Sequence, residues 1–96
     1  MPLYFVEHTH AAETCPTLQP EMMAMLGKHV TQENADNFGI KILADIVHPG
    51  EHKMNMVLAA ATQEPIDKFM QPFGMVGSVG VKQVSTCDQV VATGRC

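Results

Sequence analysis

The chain has 96 residues, enough for one domain, with 46% hydrophobic and 17% charged residues. Such a composition excludes a disordered chain, and a domain this small has a marginal core and apolar surface for a partner to cover. The formal net charge of −4, with six Lys and Arg spread thinly, excludes a basic nucleic-acid-binding surface.

No stretch reaches the roughly 20 apolar residues of a bilayer span. The opening Met1-Pro2-Leu3-Tyr4-Phe5-Val6-Glu7 has no basic n-region and carries an early acid, so it reads as a strand and not as a signal peptide. Cys15, Cys87 and Cys96 are odd in number and widely spaced. They read as thiols of a reducing, cytoplasmic compartment, with a Cys87–Cys96 bridge as the alternative in an oxidising one.

In chain order, Leu3 to His10 is the first predicted strand, rich in β-branched and aromatic residues. A loop over 11–19 leads to Pro20, which suits a first helical turn, with Glu21 favourable beside the positive end of the helix dipole. Leu18, Met22, Met25, Leu26, His29 and Val30 recur at helical spacing as one apolar stripe. A continued or restarted helix follows Thr31, and Gly39 closes it.

Ile40 to His48 is the second strand, with Ile40, Ile42, Ala44 and Ile46 as its buried face. Pro49-Gly50 is a turn, so Lys53 to Ala60 forms an antiparallel hairpin with it. Thr62 is the expected cap of a second helix buried through Ile66, Phe69, Met70 and Phe73, and ended by Pro72 and Gly74. Val76 to Val84 is the fourth strand, and Gln89 to Thr93 reads as a short fifth strand or an arm. The order β-α-β-β-α-β predicts one α+β, ferredoxin-like domain over residues 1–96. Its four-stranded antiparallel sheet runs 4-1-3-2 with both helices on one face.

Tyr4-Phe5-Val6-Glu7-His8, Gly50-Glu51-His52 and Thr62-Gln63-Glu64-Pro65-Ile66 resemble the small dimeric α/β-barrel domains. That resemblance implies two ferredoxin-like sheets stacked by their open faces into a homodimer, with the C-terminal segment 87–96 crossing as a dimer arm. The superfamily includes antibiotic-biosynthesis monooxygenases, muconolactone isomerases and haem-degrading monooxygenases, and one small branch is similar to a nickel-binding protein. Fold alone does not choose among these functions.

The densest polar constellation is Glu7-His8-Thr9-His10, followed by Glu13 and Cys15. Alternation along a strand puts His8 and His10 on one face, and the loop carrying Cys15 can fold back to them. Two imidazoles and a thiolate suit nickel, copper or zinc and not magnesium or calcium. A second group is His48, His52 and Cys87, expected at one edge of the sheet. With strands one and three taken as parallel, about 25 Å separates His52 from His8 within a chain, so His52 joins that pair only across a dimer. Cys96, on an exchanged arm, would complete a partner's site. Met54 and Met56 share parity with His52 but are more simply core filler, and His29 reads as a satisfied, half-buried histidine.

No dinucleotide fingerprint, phosphate loop or nucleophile elbow is present. The leading expectation is a homodimeric metal-binding protein with His8, His10 and Cys15 as ligands. The alternative is a cofactor-free monooxygenase or isomerase acting on a small hydrophobic compound in a barrel pocket, with a histidine such as His8 as general base. A non-catalytic dimerisation module is the third.

Overall fold

A computed structural model describes residues 1–95; the expectations placed on Cys96 lie outside the described residues. Strand β1 (Leu3–Thr9) buries Tyr4, Val6 and His8 on one face. Two 3₁₀ turns, Ala12–Thr14 and Pro16–Leu18, lead to helix α1 (Pro20–His29). Pro20 opens α1 because its missing N–H would have no helical partner there anyway. Helix α2 (Gln32–Asp36) is a restart, capped by Thr31 Oγ1, which accepts the Asn34 N–H at 3.1 Å. Gly39, at φ +71°, then turns the chain into β2 (Lys41–His48).

β3 (Lys53–Ala59), α3 (Glu64–Phe69), α4 (Gln71–Gly74), β4 (Ser78–Val84) and α5 (Cys87–Thr93) follow. The sheet order is β2-β3-β1-β4, with every neighbouring pair antiparallel. Read from the other edge, this is 4-1-3-2. Thr9 pairs with Lys53 and Leu3 with Ala59, so β1 and β3 are antiparallel, which corrects the expectation that they run parallel. The C-terminal end of β1, the β2–β3 hairpin and the start of β4 therefore share one end of the sheet.

Tyr4, Val6, Met56 and Leu58 face the core from the sheet, and Ile66, Phe69, Met70 and Phe73 meet them from α3, α4 and the residue between. Leu26, Val30 and Phe38 pack against this cluster, so the helical layer lies on a single face. Among the described residues no helix is long and apolar enough to cross a membrane.

Three local expectations change. Ile46 is 53% exposed because the β2–β3 register shifts between Ile42 and Ala44. A bulge inserts one residue and so reverses the faces of everything after it. The cap of α3 is Gln63, not Thr62, and it makes no side-chain cap bond; Pro65 sits in the first turn, where its missing N–H costs nothing. Residues 87–93 form a helix and not a strand. Thr86 and Gln89 make a reciprocal capping box and Gly94 ends the helix at φ +68°.

The core assignment carries a simple expectation. Phe69 is fully buried, so Phe69→Ala should lower unfolding stability by about 3–5 kcal/mol in urea titration. Met75, 83% exposed, should change it by less than about 0.5 kcal/mol on Met75→Ala.

Candidate metal centre

Antiparallel pairing continues one residue past β1, where the His10 N–H donates to the His52 carbonyl at 3.1 Å. This backbone bond sets the two imidazoles side by side, with ring centroids 5.2 Å apart. The hairpin turn helps: Gly50 sits at φ +79° and His52 at φ +54°. A non-glycine residue in the left-handed region costs about 1–2 kcal/mol, so His52 holds its place at the expense of local backbone energy.

Cys15 arrives from the loop after β1. Two consecutive 3₁₀ turns reverse the chain at this residue, and Thr14 Oγ1 donates to the Val76 carbonyl at 3.0 Å, tying the loop to the approach of β4. The thiol is a free cysteine, 9% exposed, with Sγ 2.9 Å from Thr17 Oγ1. One donor atom each from His10, Cys15 and His52 lie within 4.8 Å of one another. A tetrahedral ion with metal–nitrogen bonds near 2.0 Å and a metal–sulfur bond near 2.3 Å spaces its donors by roughly 3.3–3.5 Å. Closing the group by about an ångström, through side-chain rotation, would complete that geometry.

His8 lies behind this group and not within it. Its side chain is 2% exposed, edge-on to Phe73, and its Nε2 is 3.2 Å from His10 Nδ1. Among the described residues two buried ring nitrogens, His8 Nδ1 and His10 Nε2, have no close hydrogen-bond partner. Since His10 Nδ1 faces His8, Nε2 is the nitrogen left free to bind an ion. Burial holds the His8 pKa below the ordinary histidine value, the neighbouring His10 lowers it further, and the Ser78 backbone offsets this in part. The His10 pKa is lowered by burial and then by His52. Both rings therefore favour the neutral form, which is the form that coordinates metals.

Gly77 permits this crowding. A Cβ there would collide with the Thr9 carbonyl oxygen and lie 2.9 Å from His10 Cβ and 3.0 Å from His8 Cε1.

The other expected ligands fall elsewhere. The β2 bulge turns His48 toward the open face, where its Nε2–H donates to Asn55 Oδ1 at 2.6 Å. Asn55 in turn donates to Glu7. Cys87 begins α5 after β4, whose end pairs with Leu3, so it sits at the far end of the sheet from His48 and His52. That corrects the grouping of Cys87 with them. His29 is satisfied: Nε2–H donates to the Phe69 carbonyl at 2.6 Å, and the ring stacks on Phe69. His52 is the residue misplaced by the parallel assignment; Thr9↔Lys53 pairing brings it to His10 within one subunit.

The triad forms part of the wall of a pocket of about 490 Å³ between α1 and the β2–β3 hairpin. Met23, Leu26, Val30, Met54 and Phe73 supply its apolar surface. Comparison with protein-family models and with curated proteins finds no match to this chain.

Two outcomes test this geometry in metal-free protein. Because the folded pKa values of His8 and His10 lie below the unfolded value near 6.5, the unfolded chain binds more protons in that range. Stability is then complete above about pH 6.5 and declines as pH falls through that value toward the native ones. The urea midpoint should drop between about pH 7.5 and pH 5, and His8→Gln should remove part of the drop; an identical pH response in the variant contradicts the assignment. His52→Gly relieves the left-handed backbone but loosens the unfolded chain, so it should leave stability unchanged or raise it by up to about 1 kcal/mol.

Proposed function

We propose that this is a ferredoxin-like protein that binds one transition-metal ion per chain through His10, Cys15 and His52. The observation that carries the reading is the meeting of those three donor atoms within 4.8 Å. Two neutral imidazoles and one thiolate form a borderline-to-soft set, matching zinc, copper or nickel and poorly matched to magnesium or calcium. A reducing, cytoplasmic setting would keep Cys15 available as thiol and thiolate.

His8 acts in this reading as the group that orients His10. For His10 Nε2 to bind metal, its proton must reside on Nδ1, which donates to His8 Nε2 at 3.2 Å. A partner on the second ring nitrogen fixes tautomer and ring orientation, and losing it typically costs about 10–100-fold in metal affinity. Homodimerisation through the open sheet face belongs to the same proposal. Phe5, 36% exposed, and the outward-turned Ile46 support it as apolar surface that a second copy would cover.

The experiment is equilibrium titration of tag-free protein with Zn²⁺, Ni²⁺ and Cu⁺, alongside elemental analysis of the purified chain. One equivalent should bind. His10→Ala, Cys15→Ser and His52→Ala should each weaken binding by more than about 100-fold, and His8→Ala by about 10–100-fold. His29→Ala, outside the group, should leave it unchanged. Affinity should fall toward pH 5 as protons compete for the donors. Stoichiometric binding that survives all three ligand substitutions would overturn the reading.

A further inference from the structure

The three donors of the proposed centre leave a coordination position open, and the adjoining pocket is built from apolar side chains. We propose that the metal's open position faces this pocket, which admits a small molecule with one Lewis-basic atom for the ion and an uncharged, mostly apolar body. The proposal rests on the metal reading of the same site.

Closed, structural zinc sites present four protein donors, whereas sites that bind a water or substrate present three. Among the described residues the His10–Cys15–His52 group has no fourth His, Cys, Asp or Glu member. The pocket touching these three residues continues over Met23, Leu26, Met54 and Phe73. Its volume of about 490 Å³ lies in the range of small-molecule sites, which combine apolar walls with a few fixed polar groups. Two thioether side chains in the wall can re-pack around different shapes.

Away from the ion, which as a divalent metal with two neutral imidazoles and one thiolate keeps a positive charge for the donor atom, the pocket argues for an uncharged ligand body. Lys53 and Asp45 both border it. Lys53 is paired with Glu7 at 3.5 Å, and Asp45 is exposed to solvent. Neither gives a buried counter-charge. The recognition that remains is one donor atom for the ion and apolar contact for the rest of the molecule.

The test uses the full chain loaded with Co²⁺, whose visible bands report its ligands, and two probes: imidazole and 4-phenylimidazole. Both offer the same donor atom, and one adds an apolar ring. The expected result is binding of 4-phenylimidazole at least about tenfold tighter than imidazole, with the same change in the cobalt bands. Gly27 lines the pocket from α1, and nothing lies within 4 Å of where its Cβ would be. Gly27→Phe should therefore start its side chain without a backbone clash, narrow the pocket mouth, reduce the advantage of the phenyl ring and leave cobalt affinity unchanged. Equal binding of the two probes, or a phenyl advantage undiminished in Gly27→Phe, would overturn the pocket proposal and leave the metal reading standing. Failure of cobalt to bind at all would overturn both.

Discussion

The antiparallel ladder between β1 and β3 decides which side chains can meet. Its last bonds, around Thr9↔Lys53 and the His10 N–H to His52 carbonyl contact, carry the end of one strand to the start of the other. Reversing the direction of β3 would move His52 about 25 Å away and dissolve the group. The His10–His52 contact and the pocket beside it follow from that direction, and the 3₁₀ turns after β1, tied to Val76 through Thr14, fold Cys15 back to meet them. The ladder is held in turn by ordinary forces. Val6, Met56 and Leu58 are sealed beneath α3 and α4, and this burial fixes the register, since a one-residue slip would expose them all.

Local rules are broken at this same end of the sheet. His8 is buried with an unpartnered nitrogen, His52 adopts a left-handed backbone, and Gly77 is needed for close approach. Each costs stability: an unsatisfied buried polar group about 1–3 kcal/mol, a non-glycine left-handed residue about 1–2. Elsewhere the chain follows local preference more closely: α2 and α5 carry side-chain caps, and the core cluster is built of aliphatic and aromatic side chains. A fold that concentrates such violations in one place has the signature of a site maintained for a task. A bound ion would supply the partner that His10 Nε2 lacks.

Much of this architecture was legible in the sequence. Alternation placed His8 and His10 on one face, helical spacing marked Ile66, Phe69, Met70 and Phe73, and Pro20 marked the start of α1. The misreadings have physical causes. The antiparallel order 4-1-3-2 already makes strands one and three antiparallel neighbours, and taking the two as parallel hid His52 as a partner of His10. The β2 bulge left no clear mark among apolar residues, so Ile46 and His48 were placed by an alternation that the bulge reverses. The helix at 87–93 did carry a signal, Thr86 and Gln89 at capping-box spacing with Gly94 beyond, which the β-branched Val90 and Val91 masked. The left-handed turn at His52 had only a weak sequence mark, since histidine is enriched among non-glycine residues at positive φ but adopts it seldom.

The central claim is that one subunit brings two imidazoles and the Cys15 thiolate to a single ion. X-ray absorption at the zinc edge, on protein loaded with one equivalent, tests it directly. The account predicts one sulfur neighbour near 2.3 Å and two imidazole nitrogens near 2.0 Å, with the sulfur lost in Cys15→Ser. A first shell of nitrogen and oxygen alone, or a sulfur that survives Cys15→Ser, would contradict it.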